Sequence, residues 1–519
     1  MSDPGQTFRL GDGRLSGGEG LPTDGAIGGD GRTPGERRPR VVIIGGGIAG
    51  LSAAYTLATD QRARALGITS TLIEEDHQLG GKIRTERIGD CLIENGPDSF
   101  LATKPWAAEL CWALGLGDRL VGTRPGQPVY VAWKGRLHPL PDGAMFGIPT
   151  RLGPVARSRL FSPVEKLRMA MDLVLPRGRG ADESIGGLLR RRLGDAAVDR
   201  LAGPLLGGIY AGDADTLSVR ATFPKLVEWE AQYRSLILAA LARRRQPTAP
   251  SSRAPSAMFL SLAGGLGEMI DRLVASLGQT VILTGRRVTR LIQQSGRSTR
   301  GYGILLDEGT CLEADALVLG TPAYVTARLL EPLAPSAAGR LRNIPYVSTA
   351  AVTLAYRRQD IRHPLDGNGF VVAHGEPLNI TACTWISSKW PYRAPVDIAL
   401  LRCFLGAAGR EAVAEEDDRR LGDLARADLR ATMGIDATPV FVSATRWPAA
   451  MPQYPPGHLE RLEAAERDLQ EAPGIVLAGA GYRGIGIPDC IRQGAEAARR
   501  LTELLGSEDH TKELSRLNS

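Results

Sequence analysis

The sequence is poor in the residues that most often build metal and thiol sites. It has six histidines in 519 residues, and no HExxH or HxH pattern groups them, so no metal centre is expected. Its six cysteines, Cys91, Cys111, Cys311, Cys383, Cys403 and Cys490, include no CxxC pair. That excludes a zinc ribbon or a vicinal redox dithiol, and the thiols are expected to be reduced and buried. No apolar run is long enough to span a bilayer. Residues 1–40 are rich in Gly and Asp and lack an apolar segment, so they are expected to be a disordered arm and not a signal peptide. Neither charge sign dominates: 63 Lys and Arg against 57 Asp and Glu leave a net +6. A nucleic-acid partner, which would want a dense basic stripe, is not expected. These absences point to a cytoplasmic protein, with peripheral contact to an anionic membrane face left open. Oligomeric state is not legible, and no internal repeat is present.

What is present begins at Val41. The run VVII is a short apolar strand of the kind buried on both faces of a parallel sheet. Glycines follow, then the small-residue helix IAGLSAAYTLA, then the strand TSTLIEE, which completes a βαβ unit. Residues near 100–250 read as mainly helical, with a polar, Pro-rich loop at 243–256. Arg177, Arg179, Arg190, Arg191 and Arg192 lie there beside apolar turns and read as a solvated basic face, with loose attachment to anionic lipid as the functional alternative. Strands return in TVILTGRRVTRLIQQ, YGILLDEG and ALVLGTP, and again in AVTLAY, GFVVAH, ITACTW and IALLRCFLG. The segment DDRRLGDLARADLRATMG reads as a helix. The chain closes on GIVLAGAGYRGIGIPDCIRQGAEAARRL: strand, glycine turn, helix.

The fold class expected is α/β. A Rossmann-like domain is assembled from three segments, 41–105, 256–325 and 471–505. A mainly helical domain at 106–255 and a mixed-sheet substrate domain at 326–470 are inserted, and 506–519 form a tail.

Three motifs carry chemistry. Gly45-x-Gly47-x-x-Gly50 joins a strand to a helix. One glycine makes the tight turn, one lets the backbone approach a pyrophosphate and one permits close helix packing. The free N–H groups of the helix then face the phosphate charge. Glu74 and Glu75 end the next strand, where an acid accepts hydrogen bonds from a ribose diol; Glu74 directly follows the apolar run and is preferred. The second motif, HQLGGKIRT, resembles the sequence that follows the first βαβ unit in the amine oxidase and phytoene desaturase superfamily of flavoproteins. There Gly80 and Gly81 would bring the backbone close to a flavin, and Lys82 stands where Arg is common. The third motif, GAGYRGIGIPDCI, opens a helix whose amides could stabilise charge at the flavin pyrimidine on reduction.

With these in place the chain resembles the oxygen-dependent protoporphyrinogen/coproporphyrinogen oxidase family. The matching stretches are ENGPDSFLATKP, GPLLGGIYAGDADTLSVRATFPKL, FLSLAGGLGEMIDRL, LNITACTWISSKWP, TRWPAAMPQYPPGH and GAGYRGIGIPDC, spread from Val41 to Leu501. The resemblance implies FAD held by Gly45, Gly46, Gly47, Ile48, Ala49 and Gly50, by Glu74 or Glu75, and by Gly81 and Lys82. It places Gly96, Pro97, Asp98 and Ser99 along the flavin, Val288 at the adenine end, and Trp447 against the ring system. Ala480, Ile485, Gly486 and Ile487 would hold the isoalloxazine. Gly207, Gly208, Tyr210, Ala211 and Gly212 would line a cavity for a flat porphyrinogen. Core packing remains the plainer role for Tyr210 and Trp447.

No catalytic side chain is expected, because a methylene bridge between two pyrroles stabilises its own cation as hydride leaves for flavin N5. The partners implied are a porphyrinogen and O2. Lys104, and less so Arg119, are the candidate propionate cations, with a plain surface lysine as the alternative. The TACTW–KWP stretch is closer to the coproporphyrinogen-acting branch, and protoporphyrinogen is the alternative substrate. An amine oxidase or carotenoid desaturase shares the first two motifs but lacks GIYAGD and GYRGIGIPDC. A flavin-fold scaffold or haem-pathway chaperone without turnover is the non-enzyme reading.

Overall fold

The computed structural model describes residues 38–517, apart from 142–143, 146–147, 150–151, 179, 181, 245–256 and 296–299. The expected N-terminal arm, up to residue 37, and most of the expected 243–256 loop lie outside the described residues.

Strand Arg40–Ile44 lies near the middle of a five-stranded parallel sheet. Its neighbours are Thr69–Ile73 on one side and Ala316–Leu319 on the other, with Val281–Leu283 and Ile475–Leu477 at the edges. Val41 to Ile44 are buried, as a continuous apolar run on a sheet covered on both faces requires. Helix Ile48–Thr59 packs through small residues, Ala49, Gly50, Ser52, Ala53 and Ala54. These let the long helix Ile487–Leu517 come close. A Cβ added at Gly494 would lie 2.1 Å from the Ala49 carbonyl oxygen. The same helix continues through Leu517, so the expected tail after residue 505 is helical.

A second, seven-stranded sheet runs in the order Phe441–Pro452, Tyr346–Arg357, Ile398–Leu405, Ile380–Trp385, Gly369–Val372, Val129–Trp133 and Arg136–Pro139. It is mixed: Gly369–Val372 pairs in parallel with Val129–Trp133, and the other pairs are antiparallel. Helix Asp418–Met433 covers it with Leu421, Ala425, Leu429 and Met433. Asp417 caps that helix by accepting from Arg420 N at 2.7 Å, and Gly434 ends it at φ 65°. The architecture is therefore α/β, with parallel and mixed sheets plus helices.

The expectation of a mainly helical stretch from residue 106 needs correction. Val129–Trp133 and Arg136–Pro139 form a hairpin that joins the second sheet. The parallel pairing of Val129–Trp133 with a strand some 240 residues later is invisible to local periodicity. Helices dominate only from Leu152 onward.

Within that helical part, Arg190, Arg191 and Arg192 are not a free basic face. Arg190 pairs with Asp195, Asp199 and Asp215, and Arg191 with Glu183 and Glu230. Arg192 is fully buried against an equally buried Asp172, N···O 2.5 Å, and also donates to the Leu175, Pro176, Asp172 and Arg234 carbonyls. Among the described residues no helix is long and apolar enough to cross a membrane.

Candidate functional site

The crevice at the carboxyl ends of Arg40–Ile44 and Ala316–Leu319 is where an open α/β sheet takes its ligand. The three motif glycines there answer to three different constraints. Gly45 turns at φ 105°, and a Cβ on it would lie 2.9 Å from the Gly320 carbonyl carbon. One on Gly50 would lie 1.9 Å from the Gly45 oxygen. Gly47 is different: its Cβ direction meets nothing within 4 Å. Gly47 is also the N-cap of helix Ile48–Thr59 and offers no side-chain cap, so the first amides of the helix are left for an anion.

Glu74 sits at the lip of this turn. One carboxylate oxygen accepts from Gly46 N at 2.6 Å, the other from Asp76 N at 2.9 Å. Glu75 is exposed and faces Arg287 at 3.8 Å. The geometry thus sets Glu74, not Glu75, beside the glycine turn. Arg286 N donates to the Glu74 carbonyl, which brings the buried Val288 alongside.

The second motif folds back onto the first. Gly80 N donates to Gly46 O at 2.8 Å, and a Cβ on Gly81 would lie 3.3 Å from Gly47 Cα. Gly80 and Gly81 both hold positive φ. Burial lowers the Lys82 pKa, and its ammonium acts on the Cys490 thiol, itself raised by burial to about 12. The Gly96 segment presses on Lys82, since a Cβ at Gly96 would meet Lys82 O at 1.8 Å. The half-buried Trp447 anchors beside it by donating Nε1–H to Asn95 O at 2.8 Å.

Asp98 departs from the expected role. Its carboxylate accepts from Lys389 Nζ at 3.0 and 3.1 Å, from Trp390 Nε1 at 3.2 Å and from Ser99 Oγ at 2.7 Å. The side chains of Asp98 and Ser99 are thus engaged inside the protein, and only the backbone of that segment is left for a cofactor. Burial would raise the Asp98 pKa, but the Lys389, Arg402 and Arg393 cations outweigh it and hold the carboxyl below its usual range.

The C-terminal motif and the GGIY helix meet through residues the motif reading passed over. Gly484 N donates to the Tyr454 hydroxyl at 3.1 Å, and that hydroxyl donates to the Ala480 carbonyl. Tyr454 is buried and stacks on His458 with ring centres 4.1 Å apart. Its neighbour Gln453 donates to Tyr210 O at 2.9 Å, and a Cβ on Gly212 would meet the Gln453 Oε1 at 2.3 Å. The stretch MPQYPPGH holds both residues, so the only signal was membership of a matching motif. Tyr210 is buried, edge-on to Phe223, and its pKa is raised by burial and then by the Asp489 charge. Ala211 ends the helix in the left-handed region at φ 49°. Gly208, by contrast, faces open space. The loop itself leads through Ile485 and Gly486 into the helix that begins at Ile487.

Both propionate candidates are already paired. Lys104 Nζ lies 2.6 Å from Asp489, which is nearly buried in the first turn of that helix. Arg119 pairs with Glu268. Lys104 keeps 40% of its side chain exposed, so it retains N–H donors toward solvent.

The sequence profile described as flavin containing amine oxidoreductase matches residues 48–502. A coproporphyrinogen III oxidase of Bacillus subtilis is 39% identical over 463 residues, covering 89% of this chain and 97% of its own. One from Mycobacterium leprae is 34% identical, covering 90% and 98%. A crystal structure of an Exiguobacterium protein, provisionally named a protoporphyrinogen oxidase, superposes with a TM-score of 0.79 at 35% identity over 90% of this chain and 99% of that one. Cyclohexylamine oxidase from Brevibacterium oxydans shares the fold at 18% identity, with a TM-score of 0.66 over 91% and 100%. The chain belongs to the flavin containing amine oxidoreductase family and is an FAD-dependent oxidoreductase.

Proposed function

We propose that this chain oxidises a porphyrinogen to the porphyrin, a six-electron reaction of haem biosynthesis that consumes O2 and releases hydrogen peroxide, and that its substrate is coproporphyrinogen III. The observation that carries the reading is the junction of the GGIY helix end with the C-terminal glycine loop. Gln453 and Tyr454 hold the two together, and the bare face of Gly208 is left open beside them. A flat macrocycle needs such a wall. The relatives named coproporphyrinogen III oxidase support the same choice.

The residues present fit FAD. Gly47 leaves a cradle that a side chain would fill, and Glu74 stands at the turn. In this reading the FAD domain is built from segments 41–105, 256–325 and 471–505, each of which supplies a strand or more to the parallel sheet. The flavin supplies hydride acceptance at N5 and, afterwards, reduction of O2. The protein's part is to orient the bridge carbon and exclude water. The Gly96–Ser99 backbone, Trp447 and the loop through Ala480 and Ile485–Ile487 frame one side; Tyr210 and Ala211 frame the other. No side chain need take a proton in the first step, since the pyrroles carry the developing charge.

A porphyrin-fluorescence assay with both porphyrinogens tests the reading, and Lys104 sharpens it. Lys104→Ala raises KM several-fold for coproporphyrinogen III and less for protoporphyrinogen IX, leaving the flavin spectrum unchanged. A half-exposed ion pair contributes about 0–1 kcal/mol, and a carboxylate bound alike in ground and transition states appears in KM. An equal change for both substrates would discard Lys104 as the residue that counts propionates.

The reading includes peripheral contact with anionic lipid, through residues other than the paired Arg190–Arg192. Val164, Leu167, Met171 and Val174 are 76%, 69%, 43% and 72% exposed. Their spacing sets them on one outward face of helix Pro163–Ala170 and the turn after it. Arg157, Arg159 and Arg177 are exposed nearby, while Glu165 and Asp172 are taken up by Arg200 and Arg192. Arg179 lies outside the described residues. The protein is expected to co-sediment with phosphatidylglycerol vesicles in low salt, and Leu167→Glu to abolish this; pelleting that the substitution leaves intact would reject the surface.

A further inference from the structure

Behind the Gly96–Ser99 segment lies a closed cluster of five charges. Glu94 and Asp98 are 1% and 8% exposed; Arg393 and Arg402 are 1% and 3% exposed. The Lys389 side chain is 14% exposed. Lys389 pairs with Asp98 at 3.0 Å and Arg393 with Glu94 at 3.2 Å. That accounts for both acids. Arg402 is left without a carboxylate of its own: it donates to the carbonyls of Glu94 and Gly96 at 2.6 and 2.9 Å and lies 4.7 Å over the Phe404 ring. The Nε–H groups of Arg393 and Arg402 are buried with no acceptor among the described residues.

Three cations against two anions leave one buried positive charge. Such an excess costs several kcal/mol unless a negative group answers it. Nothing else in the cluster does. The Gly96 carbonyl that Arg402 grips opens the segment proposed above to lie along the flavin, and a flavin gains negative charge on reduction. A fixed charge in a dry site acts strongly on such a change and needs no reorganisation.

We infer that Arg402, the cation in excess of the Lys389–Asp98 and Arg393–Glu94 pairs, supplies a buried positive charge behind Gly96–Ser99 that favours the reduced form of bound FAD, so that Arg402 is a positioning and potential-setting residue. The inference rests on the FAD placement of the preceding section. The corresponding Arg393–Glu94 pair is neutral and serves as scaffold.

The test is the midpoint potential of FAD in the full-length protein, measured against a reference dye, for wild type, Arg402→Met and Arg402→Lys. Arg402→Met is expected to bind FAD and to lower the equilibrium constant for two-electron reduction at least tenfold, about 30 mV. Arg402→Lys keeps the charge but loses the planar fork, and is expected to stay within threefold of wild type. Equal shifts in both variants would mean that lost hydrogen bonds, not charge, set the potential, and would overturn the inference. So would no shift in either. If Arg402→Met fails to fold, Lys389→Met removes the same net charge from the cluster's more accessible side. A wild-type potential there would equally overturn it. Wild-type protein that binds no FAD would instead sink the placement on which the inference stands.

Discussion

Gly47→Val yields a folded protein without flavin. The substitution is tolerated by the chain because Gly47 has φ −69° and ψ 175°, an ordinary extended conformation, and its Cβ direction is empty to 4 Å. Valine is a poor helix N-cap, which costs on the order of 1 kcal/mol, little for a domain of this size. The space it fills is the one a pyrophosphate needs at the helix N-terminus. The purified variant is expected to show wild-type circular dichroism and thermal unfolding of its apoprotein, with flavin absorbance lost. Retained yellow colour would mean that FAD lies elsewhere. The contrast with Gly50 is instructive: there a Cβ would strike the Gly45 oxygen at 1.9 Å, and the fold itself would give way.

Asp98→Asn destabilises the protein severely, by about 3–5 kcal/mol at neutral pH. Among the described residues the carboxylate is the one anion paired with the buried Lys389 ammonium, and it takes the Trp390 indole N–H as well. An amide keeps the shape but raises the uncompensated positive charge of the cluster from one unit to two. The sign of the pH dependence follows from the lowered pKa. In the unfolded chain Asp98 titrates at its ordinary value of 3.8; in the fold it titrates lower. Its stabilisation is therefore complete above about pH 4 and is lost as pH falls toward the folded value. The urea midpoint of Asp98→Asn is expected to lie well below wild type at pH 7, with the gap narrowing at pH 3. Identical midpoints at pH 7 would show that the pair contributes nothing.

The first βαβ unit was open to reading because its determinants are local. A buried apolar strand, a glycine turn and a small-residue helix follow one another within twenty residues, and steric contacts at Gly45 and Gly50 bear out why those positions lack side chains. The choice of Glu74 over Glu75 was also local: Glu74 directly follows the apolar run and meets the glycine turn, while Glu75 is exposed beside Arg287. The hairpin at Val129–Pro139 was not open to reading, since what stabilises it is a sheet completed by strands far along the chain.

Charge partners were the least legible feature. Arg190, Arg191 and Arg192 read as a basic face, yet each meets a carboxylate. Lys104 read as a free cation, yet Asp489 lies beside it from 385 residues away. Asp98 read as a cofactor contact, yet its partner Lys389 comes from the short helix Ile386–Lys389 that follows a strand of the second sheet, 291 residues on.

By itself, then, the sequence determined the parallel-sheet core, the position of the glycine turn and the family with its flavin, because turn geometry and backbone sterics act between near neighbours. Only the tertiary structure decided which ions are spent on one another. It also decided which glycines face open space, and that Gln453 and Tyr454 join the substrate helix to the C-terminal loop. Those are matters of distance in space: an ion pair forms at 3 Å whatever the number of residues between its members, and no local pattern records it.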